Sequence, residues 1–227
     1  MRARLACAVA VMTALGGSVW AQGSARIAPQ NIVTPPPARG SVPEKDEIAE
    51  LLALRAAAAP AALEQAAHDQ GLEGTHIFAD VIGARWDLAK LPKTKFLADQ
   101  LLAASRADAG KAAAYFHRAR PMAADARIKP CVPHGNAADS YPDGRATAGF
   151  AQAIVLASLM PERGDALLMR ATRYGENAIL CGLHFRSDVS AGQQLGTAVA
   201  VQFMSQPAFK DAMRQARAEL KEAGLAR

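Results

Sequence analysis

The helical character of the chain is clearest in residues 187–204, which read SDVSAGQQLGTAVAVQFM. Leu195, Val199 and Phe203 recur there at i, i+4 and i+8, which places them on one face of an α-helix. The stretch 75–82 is too short for its pattern to indicate one type of secondary structure. In the rest of the chain, apolar residues also recur at helical spacing, and no long alternation of apolar and polar residues occurs. Together these patterns predict helices at 44–58, 60–68, 91–107, 109–118, 146–160, 162–181, 187–204 and 207–223. The sequence therefore predicts an all-α, single-domain bundle of about eight helices with no internal repeat.

The composition agrees with a helical globular domain. Of the 227 residues, 51% are hydrophobic, 21% are charged and 5% are aromatic, and alanine-rich chains with few aromatics favour helix over sheet. These fractions exclude a disordered chain, a collagen-like repeat and a disulfide-dense miniprotein. The formal net charge of +5 is too mild to indicate nucleic-acid binding, and no basic run with interleaved aromatics occurs.

We predict no metal and no cofactor, because the scattered histidines lack the spacing to cysteine or carboxylate ligands that a metal site needs. These histidines are His68, His76, His117 and His134. Three arginines on the predicted helix 162–181 are interpreted as a solvated face: Arg163, Arg170 and Arg173.

The first residues have the pattern of a secretory signal peptide. Arg2 and Arg4 form a positive start, residues 5–17 are apolar and uncharged, and residues 19–21 (VWA) form a small-x-small cleavage site. A membrane anchor is the alternative, but about 13 apolar residues are too few to cross a bilayer core. We therefore predict cleavage after Ala21, a periplasmic or secreted protein, and no membrane span elsewhere.

The sequence is predicted to have three parts: a signal peptide at 1–21 that is removed on export, a proline-rich arm at 22–43, and a helical domain at 44–227. Export leaves two cysteines, Cys131 and Cys181, and an even number in an oxidising compartment favours one disulfide over two separate buried thiols. Residues 122–143 form the one long irregular loop, and long loops inside compact domains are usually functional.

Three short segments carry candidate chemistry: 118–121 (RARP), 140–145 (SYPDGR) and 181–188 (CGLHFRSD). His184 and Asp188 are four residues apart, so on a helix Asp188 can accept from one imidazole nitrogen and leave the other free as a nucleophile or base. The alternative is that Asp188 only sits in the first helical turn after a cap and His184 is a loop residue. Gly144 opens a predicted helix, where free backbone N–H groups favour an anion.

In order and context, these segments resemble the motifs of the class A bacterial nonspecific acid phosphatases, in the type 2 phosphatidic acid phosphatase superfamily. The resemblance runs from about residue 75 to the C-terminus and includes both cysteines. It implies the helical fold shared with vanadium haloperoxidases. It also implies that His184 forms a phosphohistidine, that Asp188 orients it, and that Arg120 and the Gly144 amide bind phosphate. The family signature is K-x6-R-P, P-S-G-H and S-R-x5-H-x3-D, matched here at Arg120, Pro121, Pro142, Gly144, His184 and Asp188.

The departures from this signature are equally specific. The family lysine falls at Ala113, the S-R pair at Asn177 and Ala178, and the serine and histidine of P-S-G-H at Asp143 and Arg145. The resemblance implies that the lost lysine and arginine bind phosphate and that the lost histidine protonates the leaving group. Arg145 cannot serve as that acid, because a guanidinium does not deprotonate near neutrality. Asp143 places a carboxylate where phosphate oxygens would lie.

Two functions follow from this pattern. The first is an exported protein of the acid phosphatase family, a phosphomonoester hydrolase by ancestry, with strongly reduced or no hydrolysis, that binds an anion or a partner. The alternative is an active periplasmic acid phosphatase that uses His184 as nucleophile in a rearranged site, with His134 as the first candidate for the missing acid. The expected ligand is a phosphate ester or another small anion, a homo-oligomer is left open, and nucleic acid is not expected.

Overall fold

The computed structural model describes residues 28–134 and 136–227. All regular structure within these ranges is helical, which confirms the predicted all-α class. Two of the nine α-helices found there are single turns, so the prediction of about eight helices is close. The helices are α1 (Val42–Ala57), α2 (Pro60–Gly71), α3 (Ala79–Ile82), α4 (Pro92–Phe116), α5 (Pro121–Ala124), α6 (Gly144–Leu159), α7 (Gly164–Leu180), α8 (Arg186–Ser205) and α9 (Pro207–Glu222).

Helix α6 lies at the centre of the domain and packs against α4, α7 and α8. Its sequence carries a single charged residue, Arg145, and residues such as Ala151, Val155 and Leu156 are buried along its length. A helix that is apolar on most of its circumference is stable only when other helices surround it. The N-terminus of α6 therefore lies inside the protein, next to the start of α8.

Two glycines of α8 allow this close approach to α6. A Cβ atom on Gly192 would lie 2.6 Å from the backbone oxygen of Asp143, and one on Gly196 would lie 2.4 Å from the backbone oxygen of Thr147. Because real Cβ atoms do not approach backbone that closely, any larger residue pushes the two helices apart. The contact also positions Asp143 beside α8, where its backbone N–H donates to the backbone oxygen of Asp188 at 2.9 Å.

Replacing Gly196 by alanine is expected to lower the free energy of unfolding by about 1–3 kcal/mol, because the added methyl group overpacks the α6–α8 contact. Gly110→Ala is the matched control: Gly110 also lies in a helix, but nothing comes within 4 Å of an added Cβ. That variant is expected to gain up to about 1 kcal/mol from helix propensity. Urea unfolding followed by circular dichroism measures both. Equal shifts in the two variants would contradict the close packing.

Two sequence-based predictions in this part of the chain were wrong. Residues 91–107 and 109–118 form one helix, α4, which ends at His117 in a left-handed conformation with φ 48°. Arg170 does not lie on a solvated face: it is buried and donates to both carboxylate oxygens of Asp69 at 2.8 and 2.9 Å. An arginine fork that meets a carboxylate in this geometry can be buried, because the charge is paired and hydrogen-bonded.

The proline-rich arm is described from residue 28 onward, and the predicted signal peptide lies outside the described residues. The arm is held to the domain by buried Val33 and by the Tyr141 hydroxyl, which donates to the backbone oxygen of Thr34. Helix α1 begins at Val42, two residues before the predicted start, with Ser41 as its N-cap. Among the described residues no helix is long and apolar enough to cross a membrane.

The predicted disulfide between Cys131 and Cys181 is confirmed. The two Cα atoms are 4.9 Å apart and the bridge closes a sequence separation of 50 residues. The backbone N–H of Cys131 also donates to the oxygen of Cys181 at 2.9 Å. The irregular loop is thereby fixed to the end of α7, three residues before His184. In the chain-entropy model, a disulfide that closes a loop of this length stabilises the folded state by about 4 kcal/mol.

Candidate active site

A cavity of about 860 Å³ opens between α4, the irregular loop, the start of α6 and the turn after α7. Four of the six residues matched to the family signature line this cavity: Arg120, Pro142, Gly144 and His184. The substituted positions Ala113, Asp143 and Arg145 line it as well. Asp188 lies behind His184 and is fully buried.

His184 is held in a single orientation by two contacts. Its Nδ1 lies 2.9 Å from the backbone oxygen of Ser140, and its Nε2 lies 2.9 Å from Nη1 of Arg120. Because a carbonyl oxygen can only accept, Nδ1 carries the proton, and because a guanidinium can only donate, Nε2 presents its lone pair. The neutral imidazole with a lone pair on Nε2 is the form that a nucleophile or a base requires.

Asp188 acts on His184 through Ser140 rather than by direct contact. The nearest carboxylate oxygen of Asp188 is 3.7 Å from Nδ1, beyond hydrogen-bonding distance. Oδ2 accepts instead from the Ser140 hydroxyl at 2.6 Å and from the Phe185 backbone N–H at 2.7 Å. The Phe185 contact caps the N-terminus of α8. Asp188 is thus both a helix cap and an indirect partner of His184, which combines features of the two sequence-based alternatives.

Arg118 is a buried partner of this group that sequence reasoning did not assign. Its Nη1 donates to Asp188 at 2.6 Å, its Nη2 donates to Glu47 of α1 at 2.6 Å, and its guanidinium lies 4.2 Å from the centre of the Phe185 ring. The arginine therefore satisfies the second oxygen of Asp188 and connects it to the first helix. The only signal in the sequence is its place in the quoted RARP segment, two residues before Arg120.

Arg120 is already paired with a carboxylate of the protein. Its Nε donates to Asp139 at 2.6 Å and its Nη1 to the backbone oxygen of Leu183 at 2.9 Å. Burial raises the pKa of Asp139, but the hydrogen bond and charge of Arg120 outweigh it and hold the pKa below its usual value. A phosphate that binds Arg120 has to compete with this internal anion.

His134 lines the same cavity, with Nε2 3.5 Å from Asp139. Burial and the positive charge of Arg120 lower the pKa of His134, so its protonated form is depleted near neutral pH. A second imidazole therefore lies in the cavity, but in its neutral form at that pH it carries no extra proton for a leaving group.

The anion site predicted at the start of α6 is occupied by a side chain of the protein. Oδ1 of Asp143 accepts from the backbone N–H groups of Arg145 and Ala146 at 2.8 and 3.1 Å, and lies 3.6 Å from Nε2 of His184. Aspartate is a preferred N-cap residue because its carboxylate satisfies free N–H groups and the positive end of the helix dipole. The same groups would otherwise face a phosphate.

The remaining substituted positions do not restore the missing groups. The side chain of Arg145 has a partner of its own: its Nη1 donates to the backbone oxygen of Gln70. Ala178 is buried, and the amide of Asn177 donates to Asp69 at 2.7 Å, outside the cavity. Lys111, near Ala113 in sequence, pairs with Asp108 at 3.3 Å. The cavity therefore keeps the histidine and one arginine of the signature.

The helical fold and the histidine-centred cavity are the features expected of the acid phosphatase class. No family model matches the sequence. The chain is 30% identical over 167 residues to the non-specific acid phosphatase of Salmonella typhimurium. This match covers 70% of this chain and 66% of that protein. It is 31% identical over 150 residues to the acid phosphatase of Zymomonas mobilis, covering 64% of this chain and 56% of that protein. The matches thus span just under two thirds of the first relative and about half of the second.

The chain belongs to the family of bacterial non-specific acid phosphatases.

Proposed function

We propose that this chain is an acid phosphatase family member in which hydrolysis of phosphomonoesters is strongly reduced or lost, and that its cavity serves to bind a ligand. The observation that carries this proposal is the position of Asp143, whose carboxylate caps α6 3.6 Å from Nε2 of His184. When Nε2 attacks a phosphorus atom, the phosphate oxygens have to occupy the space beside this carboxylate.

Charge opposes a phosphate there. Two like unit charges 4 Å apart repel by roughly 4 kcal/mol at an effective dielectric constant of about 20, and a phosphomonoester carries up to two negative charges. The lysine and arginine that would offset this repulsion in the family signature are alanines here, at Ala113 and Ala178. Only Arg120 remains of those cations, and it is paired with Asp139.

Inorganic phosphate and orthovanadate are therefore expected to bind weakly or not at all at neutral pH. Isothermal titration calorimetry on the purified chain measures this, and Asp143→Ser is expected to increase the affinity for phosphate because it removes the internal anion. Arg127→Ala serves as control, since Arg127 is exposed and pairs with Asp125 outside the cavity. A micromolar dissociation constant for phosphate in the wild-type chain, lost in Arg120→Ala, would contradict the proposed charge balance.

A second candidate function is an active acid phosphatase with a rearranged site. The specific observation in its favour is the lone pair on Nε2 of His184, which is fixed by the contact of Nδ1 with Ser140. In that case Nε2 attacks phosphorus, the bond to the leaving oxygen breaks, and a proton donor such as His134 has to reach that oxygen. Assays with several phosphomonoesters, using His184→Ala and His134→Ala as comparisons, distinguish the two candidates.

We also propose that the chain is exported, with cleavage after Ala21. The disulfide between Cys131 and Cys181 supports this, since such bonds persist in oxidising compartments. N-terminal sequencing of protein isolated from the periplasm or medium is expected to start at Gln22. Recovery of the uncleaved chain in the cytosolic fraction would contradict the proposal.

A further inference from the structure

An arginine and a histidine share one carboxylate oxygen in the cavity. Oδ1 of Asp139 accepts from Nε of Arg120 at 2.6 Å, and Nε2 of His134 lies 3.5 Å from the same oxygen. His134 and Asp139 line the cavity, and their side chains are 27% and 34% exposed. A ligand that enters the cavity therefore has access to both side chains.

At neutral pH these three side chains carry no net charge, because the guanidinium is positive, the carboxylate is negative and the imidazole is neutral. Burial and the positive charge of Arg120 lower the pKa of His134. The pKa of Asp139 lies below its usual value, because the effect of burial is outweighed by the hydrogen bond and charge of Arg120. As the pH falls, His134 therefore gains its charge before Asp139 loses its own.

Protonation of His134 gives this group of side chains a net positive charge and gives Asp139 a second cation. The charged and titratable groups that face His134 are Asp139 on its own loop, Arg120 at the start of α5 and His184 in the turn after α7. Only Asp139 favours the imidazolium, and the other two oppose it. An anion bound in the cavity adds a second group that favours the protonated form.

We propose that the cavity binds a small oxyanion together with a proton, and that His134 takes up this proton and contacts the anion. Arg120 supplies the permanent positive charge. Asp139, then shared between two cations, opposes the anion less than it does at neutral pH. The inference rests on the proposed function, because it treats the cavity as a ligand-binding site, and it adds the class of ligand and the pH at which the ligand binds.

The direction of the pH dependence follows from the linkage between the two binding events. A bound anion raises the pKa of the His134 imidazole, because it favours the charged form. Binding therefore takes up a proton, and by reciprocity the affinity for the anion increases as the pH falls. A rise of about 1 in this pKa corresponds to an affinity gain of about tenfold.

Sulfate is the probe, because it has the shape of phosphate, stays a dianion between about pH 5 and pH 8, and is not a substrate for phosphate transfer. Isothermal titration calorimetry at about pH 5.5 and about pH 7.5 measures its affinity. The dissociation constant is expected to be about tenfold lower at the lower pH. Titrations in buffers of different ionisation enthalpy count the protons taken up, and up to about one proton per bound sulfate is expected.

Two variants assign the proton to its residue. His134→Gln keeps a polar side chain but does not titrate, so it is expected to bind sulfate at both pH values as weakly as the wild-type chain does at about pH 7.5. Asp139→Asn removes the internal anion and is expected to raise the affinity at about pH 7.5. His76→Gln is the matched control, because His76 is exposed and lies outside the cavity lining. Circular dichroism checks that each variant is folded, and the proton count on the wild-type chain does not depend on any variant.

The outcomes separate this inference from the proposed function. A gain in affinity at the lower pH that is lost in His134→Gln and kept in His76→Gln supports it. No binding of sulfate at about pH 5.5, equal affinity at the two pH values, or a pH dependence that persists in His134→Gln overturns it and leaves the proposed loss of hydrolysis standing. Turnover of a phosphomonoester by the chain would contradict the proposed function and leave the sulfate result intact.

Discussion

Replacing Ala113 by Lys, Asp143 by Ser, Arg145 by His and Ala178 by Arg in one chain is expected to raise kcat/KM for phosphomonoesters about 10³-fold or more. One general acid contributes roughly 10²–10⁴ in rate, and one preorganised donor to a developing anion contributes about 10²–10³. Because groups of one site act as a unit, these factors do not multiply. Steady-state kinetics with a series of phosphomonoesters measure the gain.

The four single variants are the controls, and each is expected to give a small part of the gain. Asp143→Ser alone opens the N-terminus of α6, but it supplies no cation and no acid. Ala178→Arg alone places a long charged side chain at a position that is 1% exposed, so it is expected to destabilise the chain. A single variant that reaches the activity of the combined one would contradict the view that the site lost its groups together.

Residual hydrolysis in the wild-type chain is expected to depend strongly on the leaving group. Nε2 of His184 presents its lone pair, but Arg145 stands where the family signature has an acid and is directed toward Gln70. An aryl phosphate such as p-nitrophenyl phosphate needs little protonation of its leaving oxygen, whereas an alkyl phosphate needs much. The ratio of kcat/KM between the two is therefore expected to exceed about 10².

His184→Ala is expected to abolish the cleavage of p-nitrophenyl phosphate, since it removes the nucleophile. His134→Ala is the comparison, because it removes a different imidazole from the same cavity, one that lies beside Asp139. If the wild-type chain cleaves aryl and alkyl phosphates at similar rates and His134→Ala removes only the alkyl activity, His134 is the proton donor and the leaving-group prediction is wrong.

The sequence predicted most of the helices because apolar spacing is a local property. Leu195 and Val199 are buried as their spacing indicates. The predicted interruption near residue 108 was wrong because Asp108 and Gly110 have low helix propensity, and contacts of α4 with α6 and α9 override that preference. Arg170 was misinterpreted for a related reason: its partner Asp69 lies 101 residues away in sequence.

At the site, sequence matching placed residues in one cavity but could not give their hydrogen bonds. The spacing of His184 and Asp188 indicated a direct pair, whereas the carbonyl and hydroxyl groups of Ser140 lie between them. Ser140 is 44 residues from His184, and Arg118 is 70 residues from Asp188, so no local pattern records these contacts. The role of Asp143 as a helix cap is local, and a cap before Gly144 is a recognisable signal.

Steady-state turnover of glycerol 2-phosphate by the purified chain, with His184→Ala beside it, tests the loss of hydrolysis most directly. With Asp143 at the N-terminus of α6 and Arg145 at the position of the family's acid, we predict no turnover above that of the His184→Ala variant. A kcat on the order of 1–10³ per second, the range of ordinary enzymes, that disappears in His184→Ala would contradict this and establish a working phosphatase.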